Sequence, residues 1–186
     1  MNRGKDKIEY AIYYATKAHK GQKRKIEDVD MIFHPFTVGM LLQRNGCDEN
    51  VVAAGILHDV VEDTPHEFDD IEKEIGKEVR DYVYGASEPD KSLEWEDRKQ
   101  HTIEQIKNAP LGSKLIVACD KISNLEDLED CIELYGEEKA WSALKRNKEK
   151  QKWYYTSVYE SCINGVDKEN PIFKRYKHIL ERLFNY

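Results

Sequence analysis

Apolar residues recur at helical spacing along most of the chain. In residues 6–20 they fall on one side of a helical wheel: Ile8, Ala11, Ile12, Ala15 and Ala18. Such a stripe is the face by which an amphipathic helix packs on a protein core. The strict alternation of apolar and polar residues that marks a half-buried β-strand does not occur in the sequence. The pattern therefore predicts an all-α protein whose first helix spans about residues 6–20.

Cap and breaker residues predict where the next helices begin and end. Pro35 suits the first turn of a second helix, because a residue there needs no N–H hydrogen bond. Asp48 is a suitable N-cap for a third helix, which Thr64-Pro65 would stop after about Val61. The body of that third helix, VVAAGILHDVV, is apolar almost all round, which is typical of a helix at the centre of a bundle.

The second half of the chain continues in the same way. The apolar residues of 68–83 predict one or two further helices, with a break at Gly76. Residues 86–94 have the composition of a loop. We expect the remaining helices in four ranges: residues 95–108, 112–132, 137–163 and 171–185. No linker is long enough to divide the chain, so residues 1–186 are expected to form a single domain, a bundle of roughly eight to ten helices.

Charge and composition narrow the classes of function. The chain of 186 residues has 29 Lys and Arg against 36 Asp and Glu, which gives a net charge of −7. This acidity argues against binding to a nucleic acid polymer, since phosphate backbones require clustered Lys and Arg. The N-terminal residues are polar and no apolar run is long enough to cross a bilayer. We therefore expect a cytoplasmic protein with no membrane partner.

The cysteines do not form a disulfide framework. They are far apart and include no C-x-x-C spacing: Cys47, Cys119, Cys131 and Cys162. We expect them to be reduced thiols without a catalytic setting.

An acidic cluster stands at the end of the apolar third helix. His58 and Glu62 lie on one helix face, and Asp59 and Asp63 share the neighbouring face. Burying a charge without a partner is costly. The cluster is therefore either exposed at a frayed helix end or compensated by a cation.

Two further polar positions favour the cation. His34 stands at the beginning of the second predicted helix, and Asp120 directly follows the apolar residues 115–119 within another. With His58 and Asp59 they could bring two imidazoles and two carboxylates from three helices onto one divalent metal. Such a nitrogen and oxygen site with open positions suits manganese, iron, nickel or magnesium about equally.

Several motifs occur in a fixed order along the chain: residues 18–25 (AHKGQKRK), 34–35 (HP), 53–64 (AAGILHDVVEDT) and 120–125 (DKISNL). With these motifs the chain resembles the HD phosphohydrolase superfamily, whose signature is H…HD…D. More narrowly, it resembles the hydrolase domain of RelA/SpoT proteins and the stand-alone small alarmone hydrolases. The resemblance spans about residues 7–165, and its most specific part is H-D-x-x-E-D-T. It implies an HD-type helical bundle.

The resemblance also implies roles for individual residues. Four of them would be the ligands of one divalent metal, usually manganese: His34, His58, Asp59 and Asp120. Glu62 and Asp63 would handle the attacking water. The sequence does not separate the acid from the base in this pair.

Substrate contacts are expected from basic and amide side chains. The resemblance assigns nucleotide contacts to Arg24, Lys25 and Asn124. Arg24 and Lys25 belong to a basic run in an acidic chain, and such a run is either a solvated loop or a phosphate clamp. Lys121 follows Asp120 directly and could reach a phosphate.

The chain departs from the pattern of these hydrolases at several positions: Met31, Val117, Cys119, Ser123 and Glu126. The metal ligands and the catalytic pair are intact. Val117 and Glu126 replace basic residues, so the departures concern the phosphate-binding side, and hence the substrate, more than the reaction.

Two other groups of residues have ordinary structural interpretations. His19 is expected to be a hydrogen-bonded core histidine. The segment with Lys148, Lys152 and residues 153–155 (WYY) could stack a base, but an amphipathic helix packed on the core is the preferred interpretation.

The expected function is metal-dependent hydrolysis of a pyrophosphate ester. The leading substrate is guanosine 3′,5′-bis(diphosphate) (ppGpp), which would yield GDP and pyrophosphate. The alternatives are another phosphorylated nucleotide, such as a dNTP, a nucleoside monophosphate or NADPH, and a catalytically weak, metal-bound regulatory module. The sequence does not indicate an oligomeric state.

Overall fold

Helices make up the secondary structure of the computed structural model, which describes residues 6–24, 29–88 and 92–186. Eleven lie within these ranges: α1 Lys7–Ala18, α2 Phe33–Arg44, α3 Glu49–Leu57, α4 Val60–Asp63, α5 Phe68–Glu74, α6 Lys77–Ala86, α7 Trp95–Lys107, α8 Leu111–Tyr135, α9 Glu137–Ser142, α10 Lys148–Cys162 and α11 Pro171–Phe184. No strand occurs in the described ranges beyond an isolated bridge between Lys23 and Asp30. The predicted all-α class is confirmed.

Two predicted boundaries agree with the structure. The carboxylate of Asp48 accepts hydrogen bonds from the backbone N–H groups of Asn50 and Val51, so it is the N-cap of α3. Gly76 has a φ of +127°, a conformation that favours glycine, and it separates α5 from α6.

The third predicted helix is not continuous to Val61. It ends at Leu57, and α4 begins at Val60 after a turn at His58 and Asp59. The Nδ1 atom of His58 lies 2.8 Å from the carbonyl oxygen of Gly55. In an uninterrupted helix that carbonyl would accept from the backbone N–H of Asp59. The histidine side chain therefore competes with the helical ladder at this point.

The predicted helix over residues 137–163 is also divided. α9 ends at Ser142 and α10 begins at Lys148, because the side chain of Asn147 caps α10 by accepting from the backbone N–H of Lys150 over 3.1 Å. Asn147 has an extended backbone, which is usual for an N-cap and incompatible with a continuous helix.

The buried helix α3 is the centre of the fold. Every residue from Val51 to Leu57 is buried, as its pattern predicts, and α3 packs on α1, α2, α6 and α8. Gly55 allows α2 to approach closely, since a Cβ atom at this position would lie 2.3 Å from Leu42 Cδ1. This packing brings the beginning of α2 close to the end of α3.

The C-terminal helices cover the outer side of α8. α11 packs on α8 and α10 through buried side chains that include Phe173 and Tyr176. The described core forms one cluster with members from α1 to α11. None of the described helices combines the length and apolar character needed to traverse a bilayer.

Candidate metal centre

The four predicted metal ligands converge between α2, the α3–α4 turn and α8. His34 Nε2 lies 3.2 Å from Asp120 Oδ1 and 3.7 Å from Asp59 Oδ2. His58 Nε2 lies 3.2 Å from Asp59 Oδ1. His34, His58 and Asp120 each offer one ligand atom, and these three atoms lie within 4.8 Å of one another. Asp59 contacts both imidazoles from the turn beside them.

Hydrogen bonds orient both imidazole rings. His34 Nδ1 lies 3.0 Å from the hydroxyl oxygen of Ser123, and His58 Nδ1 donates to the Gly55 carbonyl. A carbonyl only accepts, so Nδ1 of His58 carries a hydrogen. Both Nε2 atoms therefore point toward the carboxylates, the orientation that histidine metal ligands require.

The buried Nε2 atom of His58 tests whether a metal fits here. It has no hydrogen-bond partner of good geometry among the described residues, and such orphaned buried atoms are rare. Burial lowers the pKa of His58, but Asp59 and Asp120 outweigh burial and raise it. The surroundings of Nε2 therefore favour a positive charge. A divalent cation bound by the imidazole and carboxylate groups would supply that charge.

Lys121 contacts one of the predicted metal ligands, Asp120. Its Nζ lies 2.6 Å from Asp120 Oδ2 and 5.5 Å from the centre of the Tyr154 ring. Burial raises the pKa of Asp120, but Lys121 and the two imidazoles hold it well below its usual range. Asp120 is therefore an ionised carboxylate, as a metal ligand must be.

The predicted catalytic pair is split between two environments. Glu62 is partly buried, and its Oε1 accepts a hydrogen bond from the backbone N–H of Glu88 over 2.7 Å. Burial first, and then Asp59, raises the pKa of Glu62 to about 7. Asp63 is exposed and lines a cavity. The two neighbours in sequence thus face different parts of the site.

The cavity measures about 540 Å³ and combines charged, amide and apolar side chains: Gln22, Lys23, Arg24, Val29, Met31, Phe33, Asp63, Asn124, Asp127, Ala143 and Leu144. Arg24 Nη2 lies 3.4 Å from Asn124 Oδ1, and the Nδ2 of Asn124 donates to Asp120 Oδ1. Two of the predicted nucleotide contacts are therefore adjacent to a predicted metal ligand. Lys25 lies outside the described residues.

Two groups of charged residues at the site are absent from the residues predicted from the sequence. Asp127 pairs with Arg24 at the cavity, and its position three residues after Asn124 on one helix face was the available signal. The second group lies beside Glu62, where Glu88 pairs with Arg98 over 3.0 Å and also with Lys99. These residues belong to the predicted loop at 86–94 and to the predicted helix at 95–108, so no local pattern connects them with Glu62.

The segment at 148–155 agrees with its structural interpretation. Tyr154 is buried and packs its ring against Trp95, with centroids 6.0 Å apart. Lys99 Nζ lies 4.5 Å from the centre of the Tyr154 ring. The helix packs on the core, and its aromatic side chains serve that packing.

A comparison with known families decides the affiliation. The family described as HD domain matches residues 11–146. This chain belongs to the HD domain family. HD proteins bind a divalent metal, and the cluster of His34, His58 and Asp120 supplies suitable donors for it. The resemblance to the HD superfamily is therefore confirmed.

Relatives narrow the affiliation. Guanosine-3′,5′-bis(diphosphate) 3′-pyrophosphohydrolase MESH1 of Drosophila melanogaster is 38% identical over 126 residues, which cover 66% of this chain and 70% of that protein. A solved structure of a metazoan SpoT orthologue, described as hydrolysing ppGpp, superposes with a TM-score of 0.80 at 29% identity and covers 98% of both chains. The structure of lmo0812 from Listeria monocytogenes EGD-e has a TM-score of 0.77 at 37% identity and covers 82% of this chain and 99% of that one.

Proposed function

We propose that this HD domain hydrolase cleaves guanosine 3′,5′-bis(diphosphate) into GDP and pyrophosphate. The observation that carries the proposal is the convergence of His34, His58 and Asp120, with Glu62 and Asp63 one helical turn beyond His58 and Asp59. The names of the relatives, MESH1 and a SpoT orthologue that hydrolyses ppGpp, support this substrate.

The metal would be held by four side chains: His34, His58, Asp59 and Asp120. We propose manganese, with iron, nickel or magnesium as alternatives that the donor set accepts. When bound, a divalent metal of this kind supplies Lewis acidity toward a water and a phosphoryl oxygen. Lys121 keeps Asp120 ionised through a contact of 2.6 Å.

Glu62 and Asp63 are proposed to divide the remaining chemistry. Glu62 is shielded and held by the Glu88 N–H, with a pKa raised to about 7 by burial, so it suits proton transfer with the attacking water. Asp63 lies at the cavity and suits orientation of the substrate. The exposure of Asp63 and the shielding of Glu62 support this division.

The cavity suits a nucleotide. Arg24 and Asn124 stand between the cavity and Asp120, and we propose that they contact the nucleotide together with Lys25 and Lys121. Its apolar side is formed by five side chains: Val29, Met31, Phe33, Ala143 and Leu144. A volume of about 540 Å³ with apolar walls and few polar groups is typical of a small-molecule site.

A panel of nucleotides tests the proposal. With manganese added, the protein should convert ppGpp into GDP and pyrophosphate, and chromatography should separate these products. Consumption of a dNTP, a nucleoside monophosphate or NADPH instead would reassign the substrate. No metal-dependent turnover of any nucleotide would favour the regulatory module.

The remaining properties belong to the same proposal. We propose one domain over residues 1–186, because the described core is continuous from α1 to α11. The four cysteines are free thiols, which agrees with a reducing, cytoplasmic location. The substrate partner is a small nucleotide.

A further inference from the structure

We propose that Gln22 is a positioning residue for Asp63, the last residue of the short helix α4. The inference rests on the proposed function, since it assigns Gln22 to the machinery of that reaction. A chain of side-chain hydrogen bonds joins a buried histidine to the rim of the cavity.

The chain of hydrogen bonds begins at His19, which follows α1 and is 2% exposed. Its Nδ1 lies 2.8 Å from Gln22 Oε1, and Gln22 Nε2 donates to the carbonyl oxygen of Asp63 over 2.7 Å. A carbonyl can only accept, so the amide turns its nitrogen to Asp63 and its oxygen to His19. His19 therefore carries its hydrogen on Nδ1, and both ends of the Gln22 amide are engaged. This confirms His19 as a hydrogen-bonded core histidine.

The backbone around Gln22 is tied down as well. Gly21 has a φ of +81°, which turns the chain sharply after His19 and favours a residue without a Cβ atom. The Gln22 N–H donates to the His19 carbonyl over 3.0 Å, and the Gln22 carbonyl accepts from the Met31 N–H over 2.9 Å. The side chain therefore reaches α4 from a tethered loop.

Helix α4 has little stability of its own. It has 4 residues, and the extended conformation of Thr64 ends it directly after Asp63. A single helical turn is unstable in isolation, and carbonyls in a last turn have no partner within the helix. Gln22 gives the Asp63 carbonyl a side-chain partner, and both residues line the same cavity. Without this bond the carboxylate of Asp63 would be less well placed, while the metal ligands would stay.

Two substitutions separate the two ends of the amide. Gln22→Met removes both hydrogen bonds at similar length, whereas Gln22→Glu keeps an acceptor for His19 and removes the donor to Asp63. Gln43→Met, at an exposed glutamine of α2, is the matched control.

Both Gln22 variants should lower kcat by about 10- to 100-fold with a smaller change in KM and normal metal content. Gln43→Met should behave as wild type. Unchanged kcat in the Gln22 variants would overturn the inference.

A double-mutant cycle tests whether Gln22 acts through Asp63. In an Asp63→Asn background, Gln22→Met should reduce kcat little further, because the group that Gln22 positions has already lost its function. Losses that multiply would overturn the inference and assign Gln22 a contact of its own with the substrate.

Amide hydrogen exchange tests the positioning without any turnover. The N–H groups of Asp63 and Thr64 donate to the carbonyls of Asp59 and Val60, and both should exchange faster in Gln22→Met than in Gln43→Met. Equal exchange in the two variants would overturn the inference even in an active enzyme. A wild-type protein that leaves ppGpp intact would instead overturn the proposed function, and the exchange rates would still decide the role of Gln22.

Discussion

The Nδ1 atom of His34 lies 3.0 Å from the hydroxyl oxygen of Ser123, a residue 89 positions further along the chain. Both side chains are buried. The contact leaves Nε2 of His34 facing Asp120 at 3.2 Å. Ser123 is one of the positions at which this chain departs from the hydrolases it resembles, and it orients a proposed metal ligand.

Ser123→Ala should weaken metal binding by about 10- to 100-fold, because groups that orient a ligand histidine typically contribute that much. Competition with a chelator, monitored for manganese, measures the change. Ser113→Ala is the matched control, since the Ser113 hydroxyl is also buried in α8 but donates to the Tyr82 carbonyl over 3.2 Å. Equal affinities in the two variants would mean that Ser123 does not orient the ligand.

Removal of proposed ligands should abolish metal binding. The purified protein should contain about one transition metal per chain, as expected for one such donor set, and His58→Ala and Asp120→Ala should be strongly depleted by elemental analysis. His101→Ala, at an exposed position of α7, should keep its metal. Full retention in both ligand variants would place the site elsewhere.

Glu62→Gln should lower kcat by about 10²- to 10⁴-fold, the usual contribution of a general acid or base. Asp63→Asn should lower kcat by about 10²-fold, because it removes a group that orients the substrate. Metal content should remain near normal. A glutamine at 62 can still accept the Glu88 N–H, so its fold should persist. Glu133→Gln, at an exposed position of α8, is the control. Metal lost in step with activity would make either residue a ligand, and unchanged turnover in both would favour the regulatory module.

Glu126→Arg should reduce stability slightly and should not impair ppGpp turnover. Glu126 Oε1 accepts from Arg175 Nε and Nη2 over 2.9 and 2.6 Å, which joins α8 to α11. Because the pair is largely exposed, its loss should cost no more than about 1 kcal/mol. The charge-swapped variant Glu126→Arg with Arg175→Glu should recover the melting temperature. Thermal unfolding of wild type and both variants measures these melting temperatures. If Glu126→Arg melted at the same temperature as wild type, the ion pair would make no contribution to stability.

The contribution of Glu62 to the stability of the metal-free protein should fall as the pH rises from about 4.5 to about 7. Burial raises the pKa of Glu62 from its ordinary value of 4.5 to about 7, so in this window the folded state keeps a proton that the unfolded state releases. The folded state therefore loses this advantage as the pH rises. Thermal unfolding in chelator should show a flatter profile for Glu62→Gln than for wild type and Glu133→Gln. Parallel profiles would contradict a raised pKa.

Helix positions follow from local sequence, and most of them were predictable. The apolar stripe of α1, the N-cap Asp48 and the break at Gly76 act on residues a few positions away. The order of His34, His58, Asp59 and Asp120 predicted the ligand set through its resemblance to the H…HD…D signature. The cost of burying such groups left two alternatives, exposure or a cation. The chain alone therefore determined the all-α class and the candidate ligands.

The tertiary structure decided which groups meet. The break between α3 and α4 depends on His58 bonding to the Gly55 carbonyl, a competition that helical periodicity does not express. The different surroundings of Glu62 and Asp63 depend on the backbone of Glu88 and on Gln22, which come from distant segments. Such contacts depend on the packing of whole helices, and no local spacing encodes that packing.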